Sequence, residues 1–138
     1  MPNKTISIHA TIHAPIEKVW EYYTSPEHIT KWAFASSDWE APSAENDLRV
    51  GGKFKTRMQA KNGSTGFDFT GTYTEIVSHK RIAYTMDDGR RVTVNFDPQG
   101  ESVEVVVNFE MENQNSEELQ RSGWQAILDN FKKHTENE

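Results

Sequence analysis

Asp47 and Arg49 stand two residues apart in "DLRVGGKFKTRM", immediately before the adjacent glycines Gly51 and Gly52. A carboxylate and a guanidinium at that spacing can point the same way and bond each other, pinning the chain at the glycine bend. The same arginine can instead offer its bidentate fork to the polar head of a ligand. Tyr73 and Tyr84 carry hydroxyls able to orient a ligand or to act as acids, although a buried tyrosine ordinarily spends its hydroxyl on a structural hydrogen bond. Five histidines raise the question of a metal. His9 and His13 share one side of a strand, but four residues of strand span ~13 Å, too far for one ion. His28, His79 and His134 sit in polar segments and read as exposed. With no cluster of ligands in sight, no metal and no cofactor are expected. G-x-S-x-G, H-E-x-x-H and Walker sequences are absent, and the glycine pair leads into no helix start that could cradle phosphate. No catalytic residue is assigned. Whether the protein is an enzyme stays open, with binding without chemistry the favoured reading.

The elements that must position these groups belong to a chain of 138 residues with a net charge of −6 and no cysteine. That length predicts one domain over residues 1–138, able to bury roughly 68% of its unfolded surface. The lack of cysteine excludes disulfides, thiolate metal sites and a cysteine nucleophile, and suits a reducing compartment. Residues 1–5 hold no apolar run of the signal-peptide kind, and nothing approaches the ~20 apolar residues of a membrane span. A cytoplasmic protein is expected. Lys53, Lys55, Arg57 and Lys61 make a small basic stripe, expected to be a solvated strand face opposite acids such as Glu104 and Glu110. With an acidic chain around it, no nucleic acid is expected as a partner. Homodimerisation is left open.

"TISIHATI" alternates cleanly and predicts a half-buried strand. "APIEKVWEYYT" and "SPEHITKW" each place proline at a helix start and glutamate in its first turn, which predicts two short helices joined at Ser25-Pro26. Val19, Trp20 and Tyr23 share one side of the first. Residues 33–46 show no period and read as a long loop carrying Phe34 and Trp39. From Gly52 to Met111 the period is two. Turn signals fall at Asn62-Gly63, Asp88-Gly89 and residues 97–100, so neighbouring strands should pair antiparallel in a meander. A final helix from 116 to about 134 is capped by Asn115 or Ser116 and carries an apolar stripe of Leu119, Trp124, Ile127, Leu128 and Phe131. Gly123 interrupts it at a cost of ~1 kcal/mol against alanine.

This order predicts a strongly curved antiparallel sheet wrapped on one long helix, with Gly51-Gly52 and Gly71 placed where curvature is needed. A sheet gripping a helix at a distance leaves space between them. Trp32, Phe54, Met58, Phe69, Tyr84, Met86, Phe109 and Trp124 are the large, adaptable residues that would line it, with Ile127 on the same helix stripe. Gly123 would let something approach the helix backbone. Apolar residues at these spacings equally suit a plain core.

The stretches "ATIHAPIEKVWEYYTSPEHITKWA", "DLRVGGKFKTRM", "GTYTEIVSHKRIAYT" and "GWQAILDNFKKH" resemble, in that order, the START-like helix-grip superfamily. Within it they are most similar to the group named for the C-terminal domain of the activator of the ninety-kilodalton heat-shock chaperone's ATPase. The resemblance runs from about Thr5 to His134. It implies an α+β helix-grip fold: a curved six- to seven-stranded antiparallel sheet around a long C-terminal helix, with two short helices after the first strand. It also implies a deep cavity for a lipid, polyketide or other apolar small molecule, with Asp47 and Arg49 near its rim, Gly123 and Trp124 on the helix face, and Trp32 closing the early helix pair. The alternatives are an enzyme of cyclase, dehydratase or hydrolase type in the same cavity, and a chaperone-interaction module. The activators that name the group carry a further N-terminal domain with no counterpart in these residues, so chaperone contact is not expected.

Overall fold

The structure, a computed structural model, describes residues 4–138, so residues 1–3 of the stretch read for a signal peptide lie outside it. Strand β1 (Thr5–Ile12) leads into helices α1 (Ile16–Thr24) and α2 (Pro26–Ile29). Six strands follow: β2 (Trp39–Asn46), β3 (Lys53–Ala60), β4 (Gly66–Val77), β5 (Arg81–Met86), β6 (Arg91–Gln99) and β7 (Ser102–Glu110). Helix α3 (Glu117–Asn137) ends the chain. The seven strands form one sheet in the order β1-β7-β6-β5-β4-β3-β2, with antiparallel neighbours throughout. β2 to β7 are the expected meander, and β1 returns to close the far edge. Among the described residues no helix is long and apolar enough to cross a membrane.

Alternation decides which side of the sheet is buried. In β1, Ile6, Ile8, Ala10 and Ile12 turn inward opposite Phe109, Val107, Val105 and Val103 of β7. These residues, with Val92, Val94 and Phe96 of β6, make the solid part of the core under the C-terminal half of α3, where Leu128 and Phe131 are buried. The sheet curls away from that contact. The register shifts in β2 between Glu40 and Ser43 and in β4 between Tyr73 and Glu75. Such bulges bend a strand and tighten its twist. At Gly71 a β-carbon would lie 2.7 Å from the Phe54 ring, so only glycine admits that ring across the strand.

Several expectations need correction. The second half of residues 33–46 is not loop but the edge strand β2. Its alternation is broken by the bulge, which falls around Pro42. An edge is where a sheet tolerates proline. Leu119, placed on the apolar stripe of α3, is 60% exposed. Its neighbour Gln120 is buried instead, accepting from Glu112 N and donating to the Glu112 and Asn115 carbonyls, which ties the helix start to the end of β7. Ser116 is the cap, its hydroxyl accepting from Leu119 N at 3.1 Å. The basic stripe does not face Glu104 or Glu110. Lys55 and Arg57 approach Asp68 on β4 at 3.9 and 3.6 Å, while Glu104 and Glu110 bond His9 and Arg91. Pro98, read as part of a turn, still pairs with Val103, and the reversal comes at residues 99–102.

The histidines expected to be exposed are half-buried. His79 meets the Trp20 ring edge-on. His28 of α2 and His134 of α3, 106 residues apart, share a hydrogen bond of 3.0 Å between Nδ1 and Nε2, and the Tyr22 ring stacks on His28 at 3.8 Å. Sequence distance hid this contact, since nothing local marks it. The His134 pKa lies below the ordinary value, chiefly through burial and then through the His28 charge, with Glu138 opposing and Lys31 and Lys18 adding lesser effects in the lowering direction. The unfolded chain therefore takes up this proton at higher pH than the folded one. Stability from this contact is complete above the ordinary histidine value near 6.5 and falls as pH drops below it. Urea midpoints are expected to decline between pH 7.5 and 5.5, and His134→Gln should flatten that slope. An equal slope in the variant would assign it to other groups.

Candidate functional site

Between the concave face of the sheet and the middle of α3 lies a cavity of about 480 Å³. Its walls follow from the two periodicities. Alternate residues put Phe54, Thr56 and Met58 of β3 on the inner face. Phe69 and Tyr73 of β4, and Ile82, Tyr84 and Met86 of β5, join them there. From α3, Trp124, Ile127 and Leu128 share one helical side and form the roof. Tyr23 and Thr24 of α1, with Ile29, Trp32 and Ala33 at and after α2, close one end. Trp32 is held by a 3.0 Å bond from its indole N–H to the Tyr22 carbonyl. Aromatic rings meet one another around the void: Phe54 on Tyr84 at 4.8 Å, Phe54 on Phe69 at 5.6 Å, and Phe69 on Trp124 at 5.9 Å between centroids.

Polar groups enter at two places. Tyr73 donates its hydroxyl to Asn46 Oδ1, and Asn46 Nδ2 donates to the Thr24 carbonyl at 2.6 Å, a chain that fastens β4 to the end of β2 and to α1. Tyr23 and Tyr84 bring two more hydroxyls. All three phenols are pushed well above their ordinary pKa, chiefly by burial. The second place is the mouth, where Asp68, Thr70, Asp87, Asp88 and Arg90 border the opening. Thr70 bonds Asp87 through its hydroxyl, and Arg90 Nε bonds Asp88 at 2.8 Å.

Of the residues singled out from sequence, Trp32, Phe54, Met58, Phe69, Tyr84, Met86, Trp124 and Ile127 border this one cavity. Four do not. Phe109 is on the correct strand face but fully buried, lying flat beneath the Trp124 ring at 4.1 Å. It supports the wall from behind. Asp47 and Arg49 bond each other on the exposed turn between β2 and β3, with Arg49 Nε 2.9 and 3.0 Å from the two carboxylate oxygens. The pair stands at the glycine bend, as the ion-pair reading of these residues expects. Gly123 is half-buried on the flank of the helix stripe, and a β-carbon there would meet nothing within 4 Å. Tyr23, Asn46, Thr56 and Arg90 were missed as bordering residues. Tyr23 shares the inward side of α1 with Val19, and that pattern could have found it. Thr56 keeps the two-residue period of Phe54 and Met58, which could have found it too, and nothing in the local sequence marks Asn46 or Arg90.

A curled antiparallel sheet around a long C-terminal helix, two short helices after the first strand and a cavity in the grip define a helix-grip domain. The family described as "Activator of Hsp90 ATPase homolog 1-like protein" matches residues 13–136, and the chain belongs to it. Solved structures agree. The AHSA1-like protein from Aeromonas hydrophila is 44% identical with a TM-score of 0.91, the match covering 96% of this chain and 92% of that one. A protein from Cytophaga hutchinsonii is 48% identical with a TM-score of 0.83 and the same coverage, 96% and 92%. A protein from Chromobacterium violaceum is 26% identical with a TM-score of 0.87, covering 98% and 99%. No functionally curated protein matches.

Proposed function

We propose that the protein binds a hydrophobic small molecule in the cavity between the sheet and α3. The supporting observation is the void itself: about 480 Å³, walled mainly by aromatic and aliphatic side chains. That size and character suit a small-molecule site of roughly 300–1,000 Å³ with a few fixed polar groups. A packed core would have closed such a space, because interiors fill to crystal-like density. The enzymatic alternative draws less support. The phenols at the inner end are held protonated and cannot serve as bases near neutral pH, and the carboxylates that border the cavity stand at its mouth, engaged with Thr70 and with the basic side chains beside them.

Trp32 and Trp124, two of the four tryptophans, border the cavity. Titration with the neutral dye Nile red is expected to change the intrinsic fluorescence saturably, at one dye per chain. Trp124→Phe should remove a large part of that change. A response that rises linearly without saturation would count against a site, and a full response in the variant would place the dye away from α3.

A further inference from the structure

Two hydroxyls in the cavity are unemployed. Tyr73 donates a hydrogen bond to Asn46 Oδ1, but among the described residues neither Tyr23 nor Tyr84 has a hydrogen-bond partner for its hydroxyl. Both residues border the same cavity, with the Tyr84 ring 6.3 Å from the Tyr73 ring and the Tyr23 ring 5.2 Å from that of Trp32. The Tyr84 ring stands edge-on to Phe54 at 4.8 Å, inside the aromatic wall. Thr135 Oγ1 is the one fully buried side-chain oxygen or nitrogen left unpaired among the described residues, so the Tyr23 and Tyr84 hydroxyls are open to whatever fills the cavity, and each offers a donor. What the inner end of the cavity lacks is therefore an acceptor.

Charge narrows the choice of acceptor. Asp68, Asp87 and Asp88 border the same cavity as Arg90, and Arg90 is already engaged by Asp88. An anion entering here finds no unengaged cation among the described residues around the mouth, since Arg90 is held by Asp88 and the Lys55 and Arg57 side chains lie beside Asp68. We infer that the ligand is a neutral, mainly apolar molecule with a carbonyl-type oxygen, which enters the cavity oxygen first and accepts hydrogen bonds from the Tyr23 and Tyr84 hydroxyls. This rests on the proposed binding function and names the ligand class for that site. It separates ketone-, ester- or amide-like ligands from free fatty acids and other carboxylates, which share the apolar body but carry a charge.

Three rigid probes of matched shape test it by isothermal calorimetry at pH 7.5: 2-ethylnaphthalene, 2-acetylnaphthalene and 2-naphthoate. The ketone is expected to bind about fivefold or more tighter than the hydrocarbon, the value of one neutral hydrogen bond. It should bind about tenfold or more tighter than the carboxylate, which must shed its hydration beside like charges. Tyr84→Phe and Tyr23→Phe should each shrink the ketone-to-hydrocarbon ratio, and the double variant should bring it close to one. Equal binding of ketone and hydrocarbon, tighter binding of the carboxylate, or an unchanged ratio in both single variants would each overturn the inference while leaving apolar binding intact. The wild-type ratios decide this even if a variant fails to fold. Binding of none of the three probes would overturn the binding proposal together with it.

Discussion

Replacing Gly52 by alanine is expected to cost about 3 kcal/mol or more, at the upper end of what overpacking does. The reason is a close approach between pieces of main chain. A β-carbon on Gly52 would lie 2.1 Å from the Asp47 carbonyl oxygen, with the Arg49 carbonyl oxygen and Cγ at 3.0 Å. That oxygen cannot simply retreat. It accepts from Arg49 N at 2.9 Å, and Asp47 N donates to the Lys53 carbonyl at 3.0 Å. Gly52 is itself fixed, its carbonyl accepting from Tyr73 N at 2.9 Å. Relief means opening the turn between β2 and β3, which also loosens Tyr73 and shifts Phe54 at the start of β3. Gly51 is a control of another kind. Its β-carbon would meet nothing within 4 Å, but its φ of +84° is left-handed, so Gly51→Ala should cost only ~1–2 kcal/mol of backbone strain. Urea denaturation of the two variants checks the order. A loss at Gly52 no greater than at Gly51 would refute the close-approach argument. The glycine pair thus has two separate tasks, one residue turning the chain and the other letting two backbones touch.

What could be read from the sequence divides along physical lines. β3 to β7 were visible because each buries one face and repeats every second residue, and that repeat is also what carries Phe54, Met58, Phe69, Tyr84 and Met86 into the cavity. Periodicity states a face, however, and not a depth. Phe109 obeys the same alternation yet sits under Trp124 instead of beside the void. β2 was invisible because an edge strand with a bulge at proline has little period to show. The turn residues Asp47 and Arg49 have no period either, so their direction had to come from the fold. Contacts across the chain, such as His28 with His134 or Tyr73 with Asn46, depend on where distant elements dock. Much of the apolar wall and the phenols Tyr73 and Tyr84 follow the strand repeat and were legible, whereas Asn46 and Arg90 border the cavity only because of where distant elements dock.

The largest effect is expected at Phe131, and its value lies in comparison with Ile127 one turn earlier on α3. Phe131 is fully buried, with the Tyr23 and Trp32 rings edge-on to it at 5.1 Å. Phe131→Ala should cost ~3–5 kcal/mol, since the hole it leaves is enclosed and its walls cannot follow. Ile127 is half-buried and borders the cavity. Its side chain already has empty space on one side, so truncation forfeits contacts on the other side only and enlarges a void without creating one. Ile127→Ala should cost about 1 kcal/mol, well below the ~2–5 kcal/mol of an isoleucine removed from a packed interior. Both are measurable by urea denaturation in one series. A penalty at Ile127 as large as at Phe131 would mean that in solution the sheet closes onto the helix and no space exists to receive a ligand, and the binding proposal would fall with the cavity.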